Sequence, residues 1–297
     1  MEGIHFIVNP AAGRGRAARW TERLRELLAA DGRPHEIGLT DGPGHAVKLA
    51  ALAAREFETV VAVGGDGTVN EVVNGLRGTE VALGIVPLGS GNDFIRMLGI
   101  PENAEAALRI VLEGRSRRVD LGIVNERLFV NSIGIGLDAA VGRTMNRTRW
   151  LPGKLAYHYG ILANIFFYRN RVIRWRADGE GGSVKSVLAA VMNGTTYGGG
   201  YRVAPRASCD DGLLDLVILG DYGVAGRVRH VPKLKTGRHL ALPKLEYLQA
   251  RRVRIESAHE LPILVDGELL PDSGTGIEVE VEAVAGGLKV LAEPRPG

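Results

Sequence analysis

The sequence predicts two domains: an α/β half with an open, mainly parallel sheet, then an all-β half built as an antiparallel sandwich, a barrel being the alternative. Three observations predict it. Up to about residue 120, short apolar runs alternate with segments of helical periodicity. From Arg117 onward, β-branched runs separated by turn signals dominate. Two successive apolar runs, ending near Val63 and Val86, lead straight into glycine-rich turns, the arrangement found at the carboxyl edge of parallel sheets.

In order, strands are expected near 3–8, 34–39, 58–63 and 82–86, with helices near 15–30, 44–55, 67–76 and 102–113. The β-rich runs follow at 118–124, 127–135, 171–177, 184–193, 213–219, 251–256 and 276–282. The hinge is placed near Asp120 to Gly122. This divides the chain into a nucleotide-binding domain over 1–121 and a substrate domain over 122–297, with the active site expected in the cleft between them.

At 297 residues, 45% hydrophobic and 24% charged, the chain has the composition of a soluble protein able to bury a core. The single cysteine, Cys209, excludes an internal disulfide and suits a reducing cytoplasm. No signal peptide opens the chain, and no apolar stretch reaches the roughly twenty residues that span a bilayer.

The loop after the third strand carries the most chemistry. Gly64, Gly65 and Gly67 allow backbone angles that bring amide N–H groups together on an anion, and the helix begun by Thr68 adds its positive dipole end. Asp66 stands among these glycines. A carboxylate beside phosphates requires a divalent cation between them, so the loop reads as a nucleotide-phosphate and Mg²⁺ site, a capped strand-to-helix turn being the alternative.

In the next loop, Leu88 to Phe94, Ser90 can reach a phosphate or ribose oxygen, while Asn92 and Asp93 can cap the following helix. After the first strand, Gly13, Gly15 and Ala18 fit G-x-G-x-x-A with Glu36 about twenty residues on, a weak match. Arg14 and Arg16 there supply positive charge suited to a triphosphate. No G-x-x-x-x-G-K-[ST] occurs, which excludes a Walker-type NTPase.

These residues carry a resemblance. Asn9-Pro10 with Gly13, the run Gly64 to Thr68 with Asn70 and Glu71, and Pro87 to Phe94 with Arg96 resemble the catalytic domain of the diacylglycerol kinase family, which includes soluble bacterial lipid kinases and the sphingosine and ceramide kinases. Asn131 to Asp138, Asn193-Gly194, Gly198 to Gly200, Pro205, Asp210 to Asp215 and Asp266-Gly267-Glu268 continue it in order across nearly the whole chain. The short G-G-D-G-T run is shared with NAD kinases. The resemblance implies the two-domain architecture of NAD and diacylglycerol kinases, and a last segment that returns to the first domain.

It further implies an ATP-dependent phosphotransferase acting on a lipid alcohol, most plausibly diacylglycerol, with NAD kinase or a non-catalytic nucleotide sensor as alternatives. Asn9, Pro10, Gly13, Arg14, Thr40, Gly64, Gly65, Asp66, Gly67, Thr68, Asn70, Glu71, Gly89, Ser90 and Asn92 would hold ATP. Asp66 and Asp93 would hold Mg²⁺. Asp211, with main-chain carbonyls of Ser208 and Leu213, would hold a second, structural Mg²⁺. Glu268 would be the proton acceptor with Asp266 close by; in an extended chain the two point to the same side, the alternative being a solvated hairpin turn.

Net charge is +3, yet no acid lies between Asp138 and Asp178, where Arg143, Arg147, Arg149, Lys154, Arg169, Arg171, Arg174 and Arg176 occur. Trp150, Tyr157, Tyr159, Phe166, Phe167, Tyr168 and Trp175 lie in the same segment, and Arg227 to Lys244 is also acid-free. Basic side chains beside aromatics fit an anionic membrane surface, the alternative being a solvated face. Nucleic acid favours the same charge, but the expectation is a lipid surface and no nucleic-acid partner. Leu155 to Phe167 is read as a candidate wall for an acyl-chain pocket. The expected location is the cytoplasm, transiently at the inner face of the membrane; a homodimer is left open.

Overall fold

The structure, a computed structural model, describes residues 3–148, 153–271 and 274–293. The chain forms two compact units, Met1–Leu121 with Ala285–Gly297, and Gly122–Val284. The second unit therefore ends at Val284 rather than at residue 297.

In the first unit, β1 (Ile4–Val8), α1 (Ala12–Asp31), β2 (His35–Leu39), α2 (His45–Ala53), β3 (Thr59–Gly64), α3 (Asp66–Gly75), β4 (Ala82–Pro87), α4 (Asp93–Leu98) and α5 (Ala104–Glu113) follow in order. The four strands lie in the order β4-β3-β1-β2 and all pair in parallel, with Val8 level with Val63 and Val63 level with Val86. Parallel strands buried on both faces read as continuous apolar runs, which is why Val60 to Val63 and Ala82 to Val86 are fully buried. Helix α1 places Ala17, Thr21, Leu24 and Leu28 on one buried face, the 3.6-residue period at work. Ala17, Leu24 and Leu28 share a core with Phe6, Val61, Val86, Leu108 and Leu291. Because the strands run the same way, the segments beginning at Asn9, Gly65 and Leu88 all emerge at one edge.

The second unit opens within β5 (Ser116–Val124) and continues through β6 (Arg127–Phe129), β7 (Ser132–Gly136), α6 (Leu137–Arg147), α7 (Gly153–Phe167), β8 (Arg171–Ala177), β9 (Glu180–Met192) and β10 (Leu214–Gly220). Then come α8 (Val224–His230), two 3₁₀ turns (Val231–Thr236 and Arg238–Ala241), β11 (Leu245–Ala250), β12 (Arg252–Ser257), β13 (Ile263–Val265), β14 (Glu268–Leu269) and β15 (Ile277–Leu291). Strand β15 is long enough to pair with β12 through Glu282 and to reach Leu83 of β4 at Val290, so the chain's end returns to the first unit.

Pairing in the second unit is antiparallel, as a sandwich requires. The first half of β9 pairs with β8, while its second half, Ser186 to Met192, is buried and pairs with β7 and β10. Ile133, Val191, Leu216, Ile255 and Val279 fill the interior. The helices α6, α7 and α8 have no counterpart in a reading built on β-branched content.

Candidate functional site

The edge loops of the first unit interlock before any ligand is considered. The Gly64 carbonyl accepts the amides of Leu88 (2.7 Å) and Gly89 (3.1 Å). A Cβ on Gly89 would lie 2.4 Å from Gly65 Cα, so the loops after β3 and β4 touch backbone to backbone and Gly89 has no room for a side chain. The Asn9 side chain donates to Thr68 Oγ1 at 3.0 Å, bringing in the loop after β1. Thr40, at the end of β2, donates its amide to the Val8 carbonyl at 2.9 Å.

Helix α3 begins at Asp66, just ahead of the start near residue 67 or 68 that the sequence implies. Val69 donates to the Gly65 carbonyl (3.0 Å), so the amides of Asp66, Gly67 and Thr68 have no intrahelical carbonyl to bind. Those groups and the helix dipole form an anion cradle. Beside them, Gly13, Arg14 and Gly15 all adopt left-handed backbone conformations (φ 59°, 59° and 82°), and Gly13 lies so close to Leu88 that a Cβ would fall 2.1 Å from its carbonyl oxygen. Pro10 precedes this turn and regular α1 starts only after it, so the G-x-G-x-x-A spacing is not the helix-opening turn of a dinucleotide site. Ser90 is exposed and Gly67 half-buried at this edge.

Asp66 is mostly occupied within the protein. Its carboxylate accepts the amides of Asn92 (2.7 Å) and Asp93 (3.0 Å). It thus caps α4, a role the sequence assigns to Asn92 and Asp93. Asn92 does occupy the N-cap position, with φ 54°, but makes no side-chain cap bond. A left-handed turn there aims consecutive amides at Asp66 instead. Burial, followed by the nearby charge of Asp93, pushes the Asp66 carboxyl above the ordinary range. A Cβ on Gly91 would lie 2.6 Å from an Asp66 oxygen and 3.9 Å from one of Asp93, so the two carboxylates share one small space. Asp93 also pairs with Arg96 at 2.9 Å.

Two hard oxygen donors crowded together suit a divalent cation. Among the described residues no group of three or more His, Cys, Asp or Glu side chains could hold a metal. A cation at Asp66 and Asp93 would therefore draw its remaining ligands from water and phosphate oxygens, the usual state of Mg²⁺ beside a nucleotide.

Three residues expected at the nucleotide act elsewhere. Both carboxylate oxygens of Glu71 accept backbone amides at the start of α2, from Gly44 (2.9 Å) and Ala46 (3.1 Å). Asn70 is buried, and its carbonyl groups accept the Asn74 side chain. Arg16 donates to the carbonyls of Leu88 (3.1 Å) and Gly89 (2.8 Å), so it clamps the β4 loop rather than waiting as a counter-charge.

In the second unit, Asp266 and Gly267 (φ 45° and 88°) form a tight turn joining β13 to β14, with Val265 paired to Glu268. The two carboxylates therefore do not alternate along an extended strand, and the expectation that they point to one side fails. Neither is Asp266 solvated: it is buried and accepts the amides of Val130 (2.7 Å), Asn131 (3.0 Å) and Ser132 (2.8 Å). Asn193 reinforces the same segment through the Val130 carbonyl (2.8 Å) and its own amide to Asn131 (2.9 Å). Glu268 is half exposed and paired with Arg127 at 2.5 Å. Nothing local in the sequence marks Arg127, because its partner lies 141 residues away.

The expected second metal site is organised differently. Asp211 accepts the amide of Leu213 at 3.0 Å, an Asx turn, and its other oxygen faces Gln249 at 3.4 Å. The Ser208 hydroxyl bonds Asp210. Each Asp211 oxygen keeps a further lone pair beyond these contacts.

Within the stretch Leu155 to Phe167, expected to wall an acyl-chain pocket, Leu155, Tyr159, Leu162, Phe166 and Phe167 of α7 are all exposed. Arg149 and Trp150 lie outside the described residues, as does the Lys154 side chain. No helix among the described residues is long and apolar enough to cross a membrane.

Comparison with known proteins matches residues 3–124 to the diacylglycerol kinase catalytic domain, and residues 131–292 to the YegS C-terminal NAD kinase beta sandwich-like domain. The chain is 31% identical over 303 residues to a diacylglycerol kinase of Mycobacterium tuberculosis, covering 99% of this chain and 96% of that one. It is 39% identical over 268 residues to a probable lipid kinase YegS-like of Chromohalobacter salexigens, covering 83% of each. A diacylglycerol kinase crystal structure from Bacillus anthracis superposes with a TM-score of 0.75 at 26% identity, over 98% of this chain and 97% of that one. Yeast NADH kinase shares the fold, with a TM-score of 0.55 at 14% identity over 98% and 84% of the two chains.

Proposed function

We propose a lipid-kinase activity for this chain, which belongs to the diacylglycerol kinase catalytic-domain family: transfer of the γ-phosphoryl group of ATP to a lipid hydroxyl, with diacylglycerol giving phosphatidic acid as the leading reaction. The observation that carries this reading is the lock between Asp66 and the Asn92–Asp93 turn. It leaves an amide-lined cradle beside two crowded carboxylates at a parallel-sheet edge. Membership of a kinase family supplies ATP as the donor. The names of the full-length relatives support the lipid acceptor.

Each residue then has a task. Asn9, the Gly13–Gly15 turn, Thr40, the loop Gly64 to Thr68 and Ser90 would bind and orient the nucleotide. Asp66 and Asp93 would hold Mg²⁺, which when bound spreads the charge of the phosphates. Glu268 would take the proton of the lipid hydroxyl as its oxygen bonds to the γ-phosphorus and the bond to the β–γ bridging oxygen breaks, releasing ADP. Asp266 would hold the hairpin that presents Glu268.

The test is transfer of label from γ-labelled ATP with Mg²⁺ to a panel of lipids in mixed micelles, with NAD in a parallel tube. Labelled phosphatidic acid is the expected result. Label on another lipid would move only the acceptor, whereas label on NAD alone, or none anywhere, would overturn the reading.

A further inference from the structure

We propose that the outer face of α7 docks this protein onto an anionic lipid bilayer. The inference takes its purpose from the lipid-kinase reading, while the docking itself is measurable without turnover.

Helix α7 has two distinct faces. Leu155, Tyr159, Leu162 and Phe166, spaced by four, three and four residues, form one row along the helix, exposed by 59%, 50%, 58% and 49%. At 1.5 Å per residue the row runs for about 16 Å. Phe167, exposed by 84%, ends it. The opposite face is committed to the protein. Asn164 donates to Thr144 Oγ1 of α6 at 2.9 Å, and a Cβ on Gly160 would lie 3.2 Å from Val141 Cγ1, so α7 packs tightly on α6. The buried Arg227 of α8 bonds the Tyr168 carbonyl at 2.7 Å and holds the carboxyl end of α7. The apolar row is therefore carried on a braced helix rather than a loose one.

Single exposed apolar side chains are ordinary, but a row of four large ones on one helix marks a contact surface. The surrounding charge selects the partner. Arg147 at the end of α6, Arg169 just after α7, Arg229 in α8, and Lys235 and Arg238 in the 3₁₀ turns are exposed. These five elements carry a single carboxylate, Asp138, whose oxygens are buried. The acids that reach these elements from outside are engaged: Asp221 by Asn170 (2.7 Å) and Lys185 (3.3 Å), and Glu260 by Arg143 (3.9 Å). Leucine and aromatic side chains on helices whose exposed charges are cationic match a bilayer with anionic headgroups: the row enters the headgroup boundary while the arginines and lysines meet the phosphates.

The experiment uses the full chain and extruded vesicles of phosphatidylcholine, with and without phosphatidylglycerol, read by co-sedimentation. The parent protein is expected to sediment with the anionic vesicles. A Leu155→Gln/Leu162→Gln/Phe166→Ser variant is expected to lose at least tenfold in partitioning, with unchanged elution on a sizing column. It should still phosphorylate a short-chain, monomeric diacylglycerol and fail on diacylglycerol embedded in vesicles. Equal partitioning of parent and variant overturns the proposal. So does a parent dimer that the variant breaks, because the face would then belong to a second copy of this chain. Arg147→Glu with Arg169→Glu leaves the row intact and should abolish the preference for anionic vesicles; an unchanged preference also overturns it. Loss of binding in the variant with no lipid phosphorylated by either protein would keep the docking surface and remove the lipid-kinase reading, and the reverse pattern would do the opposite.

Discussion

An Asp66 carboxylate oxygen lies 2.7 Å from the amide nitrogen of Asn92, so the loop after β3 holds the loop after β4 through a bond between residues 26 apart. The other oxygen takes the Asp93 amide. A single buried carboxylate thus shapes the second loop and stands among the groups that would hold the cation.

Asp66→Asn keeps the shape and leaves only one accepting oxygen, so one of the two amides loses its partner. The expected outcome is a loss of about 1–3 kcal/mol in stability, read by urea unfolding, and a fall in phosphoryl transfer of at least about a hundredfold, in line with loss of one preorganised electrostatic group. Asp66→Ala should be worse in both respects. Near-normal turnover in either variant would remove Asp66 from the chemistry.

Gly89→Ala tests the backbone contact between the loops. The new methyl would lie 2.4 Å from Gly65 Cα and 2.9 Å from the Asn92 side-chain oxygen, and the first of these neighbours is main chain that cannot rotate away. Overpacking of this kind costs about 1–3 kcal/mol. Differential scanning fluorimetry should show a lower midpoint and a much smaller upward shift on adding ATP; a parent-like shift would mean that the loops can part without harming the cradle.

Glu268→Gln separates a chemical role from a structural one. The pair with Arg127 is 48% and 30% exposed, so it contributes at most about 1 kcal/mol to folding. The variant should melt like the parent yet lose about 10²–10⁴ in kcat, the usual worth of a general base. Equal kcat would transfer the proton to another acceptor.

Asp138 predicts a pH dependence of stability. Burial pushes its carboxyl up to about 6 from 3.8. The folded chain therefore holds this proton more tightly than the unfolded chain, and folding takes up a proton between about pH 4 and pH 6. The linked stability is fully present below pH 4 and is lost as pH rises through 6, a change of about 3 kcal/mol for this group. Asp138→Asn cannot ionise, so the difference between parent and variant in urea unfolding should grow in the variant's favour from pH 4 to pH 7. A constant difference would show that Asp138 is not the titrating group.

The alternation of strands and helices, the glycine-rich turns at Gly64 to Gly67 and Gly89 to Gly91, and the parallel edge that gathers them were all legible in the sequence. Each follows from backbone periodicity, or from the angles that only glycine adopts freely, and both act over a few residues. The destinations of the polar side chains were not legible. Glu71 serves the start of α2, Arg16 clamps a loop 72 and 73 residues away, and Asp266 turns inward to three amides more than 130 residues earlier. The outward row on α7 belongs to the same class, and the return of β15 to the first unit was implied only by the family resemblance. A side chain's type states which partners it can satisfy. Which partner it meets is set by strand register and helix packing between distant segments, and those are decided only when the tertiary structure closes.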